Sequence, residues 1–239
     1  MTARTNHLGQ PIGDDLAGWT PALPPPRTAL EGRWCVVEPF DLDRHGALLF
    51  DAYAEDAEDR IWTYLPYGPF ASLADFRAWA AATCRGDDPL FHAVVERATG
   101  QALGVASYLR IVPAAGVIEV GHINYAPRLQ RTAMATEAMF LMMRRVFDEL
   151  GNRRYEWKCD ALNAASCRAA ERLGFTFEGV FRQATVYKGR NRDTAWYAIV
   201  DGDWPAIRSA YEAWLAPDNF DAAGDQRRPL SAFMASALA

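Results

Sequence analysis

The stretch Tyr125-Ala126-Pro127-Arg128-Leu129-Gln130-Arg131-Thr132-Ala133-Met134-Ala135 has the residue types of an anion cradle. It runs from the end of an apolar segment through a short loop into the start of the strongest amphipathic pattern in the chain. A helix start presents unpaired N–H groups and a partial positive charge. Small side chains at Ala133 and Ala135 let a ligand approach that backbone, and a phosphate suits such a site. An ordinary helix start, with alanines chosen for propensity, has the same composition, so the stretch alone leaves both readings open. Lys188, Arg190 and Arg192 form a second cationic cluster, either an anion site or a solvated hairpin turn. The four cysteines, Cys35, Cys84, Cys159 and Cys167, show no CxxC and no nearby histidine at ligand spacing, so no metal site is expected. There is no GxxxxGK[ST], no GxGxxG after a strand, no HExxH and no GxSxG, which argues against P-loop, dinucleotide, zincin and typical α/β-hydrolase chemistry.

The elements that must position these residues follow from composition and periodicity. The chain has 239 residues, 25 Lys+Arg against 30 Asp+Glu, a formal charge of −5, and half its residues are hydrophobic. An acidic balance argues against a general nucleic-acid coat. No run approaches ~18 apolar residues and the first thirty positions carry no apolar leader core, so no membrane span and a cytoplasmic setting are expected. Five of the 14 prolines lie in the first 26 residues, which rules out an interior strand or a continuous helix there. This segment is either an arm wrapping the body, anchored by Trp19, or a free tail. Strands are expected at Arg33–Glu38, Leu90–Arg97, Ala102–Ile111, Val117–Tyr125 and Tyr155–Asp160, with a closing hairpin at Thr176–Lys188 and Asp193–Asp201. Helices are expected from Asp41 to about Glu55, from Ser72 to Thr83, from Met134 to Leu150, from Asn163 to Leu173 and from Asp203 to Leu215. The aromatic, proline-broken segment Trp62–Phe70 suits a loop over a cleft. The strand–helix–strand step from 117 to 160 needs a crossover, which makes those two strands parallel in an otherwise antiparallel sheet. The fold class is therefore α/β (α+β): a mixed, mostly antiparallel sheet with helices on its faces.

At this point the sequence resembles a family, the GCN5-related N-acetyltransferases (GNAT), and within it the RimJ/RimL-like group. The family pattern [Arg/Gln]-x-x-Gly-x-[Gly/Ala] is met by Gln130, Ala133 and Ala135, followed by Thr136-Glu137-Ala138. Asn163, Ser166, Leu173-Gly174-Phe175, Glu178-Gly179 and Arg182 match a second hallmark, Glu119-Val120-Gly121 a third and Gly189–Asp193 a looser fourth. Ala133 and Arg131 stand where the family usually has glycine. The resemblance spans roughly Arg33 to Trp204. It implies a V-shaped splay between the fourth and fifth strands, and a division into a Pro-rich arm (1–32), an acetyltransferase domain (33–216) and a C-terminal tail (217–239).

The resemblance also implies acetyl-CoA as cosubstrate, with no metal. Its pyrophosphate would sit on the N–H groups of Arg131, Thr132, Ala133, Met134 and Ala135. Its pantetheine would run beside Ile123, Asn124 and Tyr125, with Gln130 and Asn163 completing the cofactor site. The acceptor is an amine, either a protein N-terminus or a small molecule such as a polyamine or aminoglycoside. A non-catalytic acyl-CoA-binding module is the alternative from another class. An α-amine with a pKa near ~7.8 is roughly a tenth neutral at pH 7, whereas a lysine amine at ~10.4 is almost wholly protonated, so an α-amine needs only a modest base. Glu119 is the first candidate base and His122 the second. In a regular strand they face opposite sides, and only a bulge would bring both to one cleft. Ser166 is the hydroxyl available to the leaving thiolate, because Ala170 occupies the place where many members carry a tyrosine. No membrane or nucleic-acid partner is implied, and the protein is expected to be a monomer or homodimer.

Overall fold

Apolar runs that are buried on both faces need cover on both, and the centre of the chain supplies it. In the computed structural model, which describes residues 4–237, Leu90–Glu96 (β5) is buried along almost its whole length. Its partner Ala102–Val112 (β6) is buried over its first seven residues. One face is covered by Leu42–Tyr53 (α1) and Leu73–Thr83 (α2), where Trp79 meets Phe91. The other is covered by Ala133–Arg144 (α3), whose Met142 carbonyl accepts a hydrogen bond from Tyr108. The helix starts follow capping chemistry. Asp41 accepts from the N–H groups of Asp43 and Arg44, Ser72 from that of Asp75, and Asn163 from that of Ser166.

The remaining strands are Arg4–Thr5 (β1), Pro11–Ile12 (β2), Leu30–Glu31 (β3), Cys35–Pro39 (β4), Val117–Tyr125 (β7), Arg154–Asp160 (β8), Thr176–Tyr187 (β9) and Arg190–Val200 (β10). Ala164–Arg172 (α4), Trp204–Leu215 (α5) and Leu230–Ala237 (α6) complete the helices. The main sheet has the order β3-β4-β5-β6-β7-β8-β10-β9, and β7–β8 is its parallel pair. The fold is thus the mixed, mostly antiparallel architecture expected from the sequence. Gly174 ends α4 in the left-handed region at φ 96°, a conformation an L side chain resists.

Two features differ from the sequence reading, and the N-terminal segment follows one of the two readings left open for it. The helix expected to run unbroken to Leu150 is α-helical only to Arg144, and Arg145–Glu149 forms a π-helical turn. Arg145 is buried there, and its guanidinium donates to the Thr28 and Ala29 carbonyls and to the Thr28 hydroxyl. A buried cation on the helix thus finds acceptors in the N-terminal segment. That segment lies along the body from Trp19 onward. Trp19 stands near Gly116 and the Arg153 guanidinium, Ala22 N–H donates to the Pro113 carbonyl, and Leu23 N–H to that of Leu150. It also contributes β3 to the main sheet, while β1 and β2 form an exposed hairpin. Finally, the stretch read as a tail carries α6, which buries Leu230 and Met234.

Candidate active site

The sheet opens where the chemistry was expected. β7 and β8 pair from Val117 opposite Arg154 to Val120 opposite Trp157, and then part, although β7 continues to Tyr125 and β8 to Asp160. The cause is a β-bulge. On the β6 side Gly121 faces Ser107 and Asn124 faces Val105, so His122 and Ile123 together oppose Ala106. His122 takes φ 51°, a conformation sparsely populated by non-glycine residues. The bulge turns the His122 ring to the face holding Phe91, at 4.8 Å, and Tyr67. Phe91 is in register with Ser107 on that face, and Leu109 with Glu119. Glu119 and His122 therefore share one side of the splay.

The start of α3 follows the splayed end of β7 across one short loop, and Thr132, Ala133 and Met134 line a cavity there with Arg33, Trp34 and Arg97. Thr132 is its N-cap: the hydroxyl donates to the Leu129 carbonyl at 2.7 Å and accepts from the Ala135 N–H at 3.0 Å. Ala135 N–H is thus already satisfied, while those of Arg131, Thr132, Ala133 and Met134 have no partner among the described residues. Arg131 is exposed and has φ 64°. Where the sequence departs from a glycine, the backbone still adopts the conformation that glycine favours. The Gln130 amide donates to the Tyr125 carbonyl at 2.8 Å and the Tyr53 hydroxyl to the Asn124 carbonyl at 3.1 Å, leaving Ile123 at the bulge. From α4, Arg172 donates to the Thr136 hydroxyl at 2.9 Å and bridges the two helices beside the opening.

Glu137 has a role that sequence reading missed. Its buried carboxylate accepts from the N–H groups of Arg33 (2.6 Å), Trp34 (2.7 Å) and Cys35 (3.1 Å). It pins the first turns of α3 to the start of β4. Gly32 is small for the same reason, since a Cβ there would lie 2.5 Å from the Glu137 carboxyl.

The first candidate base is more encumbered than its sequence context suggests. Glu119 is 3% exposed. One oxygen lies 2.6 Å from Arg110 Nη1 and the other 2.8 Å from Lys158 Nζ. Lys158 also reaches Glu156 at 2.7 Å and sits 3.7 Å from the centroid of the Trp196 ring. Arg154 then joins Glu156 to Glu178, so six alternating charges cross this face of the sheet from β6 to β9. Burial works against ionisation of Glu156, but Lys158 and Arg154 outweigh it and hold its carboxyl below the usual range. His122 places Nδ1 3.2 Å from the Tyr67 hydroxyl. Burial, and then the positive charge of Arg110, push its pKa down to about 4, so the ring is neutral at pH 7.

Ser166 and Asn163 stand on the opposite face of β8. Asn163 Oδ1 accepts the Ser166 N–H at 3.1 Å, and the Ser166 hydroxyl accepts from Trp157 Nε1 at 3.0 Å. The hydroxyl is therefore aimed across α4 at the splayed strand and not at its own backbone. The expected cleft loop is bound down. Tyr64 donates to the Leu162 carbonyl (3.1 Å), Lys188 to that of Trp62 (2.8 Å) and Arg190 to that of Thr63 (3.2 Å). Lys188 and Arg190 thus fasten this loop, and Trp62 and Phe70 pack with Tyr53 and Phe76. No helix among the described residues is long and apolar enough to cross a membrane.

A sheet that splits beside a bulge, followed directly by a capped helix with free N–H groups at its start, is the architecture of an acyl-CoA-dependent acyltransferase. The family model "Acetyltransferase (GNAT) domain" matches residues 36–176, and the chain belongs to the GNAT acetyltransferase family. It resembles a GCN5-related N-acetyltransferase from Brucella melitensis at 49% identity, over 92% of this chain and 100% of that one, with a TM-score of 0.89. A GNAT-family structure from Chromobacterium violaceum ATCC 12472 is 46% identical over 82% of this chain and 98% of that one, with a TM-score of 0.77. More distantly, RimL, a ribosomal alpha-N-protein acetyltransferase solved in complex with coenzyme A, shares the fold at 19% identity. It covers 72% of this chain and 98% of that one, with a TM-score of 0.61. A comparison with curated protein sequences gives no match. The protein is accordingly an acetyl-CoA-dependent acyltransferase of the GNAT type.

Proposed function

We propose that the protein acetylates a primary amine by direct attack in a ternary complex, and that its acceptor is a protein N-terminal α-amine, as in the RimJ/RimL-like group. The observation that carries this reading is the gap between β7 and β8. It opens after Val120 beside the face bearing Glu119 and His122, and the free N–H groups of Arg131, Thr132, Ala133 and Met134 follow β7 within one short loop. The cosubstrate's phosphates are held by those N–H groups and by the Arg131 side chain. Ile123, Asn124 and Tyr125 line its pantetheine arm, with Gln130, Thr132, Ala135 and Asn163 holding the flanking backbone in shape. The amine arrives from the other face. His122, neutral at pH 7, accepts its proton through a water, while Glu119 takes part as the anion that holds Arg110 and Lys158 in place. Ser166 gives a hydrogen bond to the departing thiolate, whose free pKa of ~8.5 makes a strong acid unnecessary. Residues 33–216 form the catalytic unit, 1–32 its arm, and 217–239 a C-terminal segment that carries α6. The setting is the cytoplasm, as a monomer or homodimer.

The test is release of free thiol from acetyl-CoA with a panel of N-terminal peptides, lysine side-chain peptides, polyamines and aminoglycosides. Release with free N-terminal peptides, abolished by blocking the α-amine, supports the proposal. Release only with polyamines or aminoglycosides overturns it in favour of a small-molecule acceptor.

A further inference from the structure

The four cysteines fall into two kinds. Cys35 and Cys84 are buried in the core, whereas Cys159 and Cys167 meet with their sulfurs 3.7 Å apart. Cys159 stands on the splayed end of β8, and Cys167 follows Ser166 in the first turn of α4. Cys159 is 6% exposed and burial pushes its thiol up to about 12, while Cys167 is only half-buried. The acetyl-transfer chemistry uses neither.

We propose that Cys159 and Cys167 are a redox-sensitive dithiol, which a low-molecular-weight disulfide converts to an internal disulfide that displaces Ser166. The Cys167 thiol, the reachable one, loses its proton to solvent and attacks one sulfur of the small disulfide. That S–S bond breaks, a mixed disulfide forms on Cys167 and one small thiol leaves. Cys159 then gives up its proton and attacks the Cys167 sulfur, releasing the second small thiol. Two protein thiols are oxidised and one small disulfide is reduced to two thiols, so atoms and electrons balance. A disulfide requires the sulfurs at ~2.05 Å. Closing the 3.7 Å separation draws the first turn of α4 against β8. The Ser166–Trp157 hydrogen bond belongs to that turn, and a displacement of ~1 Å at such a group costs on the order of a hundredfold in rate. The last step rests on the proposed role of Ser166, but formation of the disulfide does not.

The experiment exposes the full-length reduced protein to glutathione disulfide and, separately, to oxidised coenzyme A, and follows intact mass and peptide maps. The expected product has lost two hydrogens, retains no adduct, and yields a Cys159–Cys167 cross-linked peptide. Cys159→Ser should instead keep one small-thiol adduct on Cys167. A stable adduct on the wild type, or no reaction at Cys167, overturns the proposal. Faster closure with oxidised coenzyme A assigns the reagent to the cofactor class, and equal or slower closure assigns it to the glutathione class. Acetyl transfer by the oxidised protein should fall by roughly tenfold to a hundredfold and return with dithiothreitol. An unchanged rate in fully oxidised protein overturns the effect on Ser166. The mass readout needs no acceptor, so failure of the dithiol and failure of the N-acetyltransferase reading give separate results.

Discussion

Arg131→Gly separates stability from ligand binding, because the structure assigns the two effects opposite signs. Arg131 is exposed and makes no side-chain hydrogen bond or ion pair among the described residues, so removing it costs no packing. Its backbone sits at φ 64°, where an L residue is strained by about 1–2 kcal/mol. Glycine removes that strain but enlarges the unfolded ensemble by about 0.5–1 kcal/mol. The net expectation is a fold unchanged or more stable by up to about 1.5 kcal/mol, or up to about 3–6 °C in melting temperature for a chain of this size. Coenzyme A binding moves the other way. Loss of a hydrogen bond from a cation to a phosphate costs about 1.5–3 kcal/mol, or roughly ten- to 150-fold in Kd. Arg131→Lys should keep much of the affinity and Arg131→Glu should lose more than glycine does. Differential scanning calorimetry and isothermal titration calorimetry read the two quantities on the same samples. A glycine variant that melts several degrees lower would refute the strain argument. One that binds coenzyme A as tightly as the wild type would remove Arg131 from the phosphate site.

Four further outcomes follow from the same geometry. Glu137→Gln replaces one acceptor oxygen with a donor facing the Arg33 N–H, and should cost about 2–4 kcal/mol in urea denaturation; a loss below about 0.5 kcal/mol would contradict the anchoring role. Burial holds His92 and His122 neutral in the fold, with pKa values down to about 4 against ~6.5 unfolded, so the unfolded chain binds more protons and stability is lost as pH falls from 6.5 through 4. The fully buried His92 alone contributes about 3 kcal/mol to that loss, and equal urea midpoints at pH 7 and pH 4.5 would count against it. For the reaction, His122→Gln should lower kcat by about 10²-fold or more and alter the acid limb of the pH profile. Glu119→Gln should chiefly reduce stability, because it leaves Arg110 and Lys158 short of an anion. The opposite pattern would make Glu119 the base.

Much of this was legible in the sequence because it depends on local chemistry. Asp41, Ser72 and Asn163 announce helix starts by capping, and the apolar runs of β5 and β6 announce a doubly covered sheet centre. The requirement for a bulge between Glu119 and His122 was also stated by strand periodicity alone. What stayed hidden depends on partners far along the chain. The π turn at Arg145 is tied to carbonyls 116 and 117 residues away, and Glu137 to N–H groups more than a hundred residues away. Lys158 is one lysine on a short strand until pairing sets it between two carboxylates. The helix α6 is a different kind of miss, since Leu230, Phe233, Met234 and Ala237 carry a helical spacing that was there to be read.

The charge ladder from Arg110 to Glu178 has a consequence for how the proposed acceptor face can be re-engineered. Its three cations and three carboxylates balance only as a set, so the positions behave as linked variables. Lys158→Met alone would leave Glu119 and Glu156 facing each other across the vacated place. The same change together with Glu119→Gln and Glu156→Gln would leave no such repulsion. Libraries that vary this face one codon at a time would therefore sample mainly unbalanced intermediates, and workable variants of acceptor choice should arise from joint substitutions.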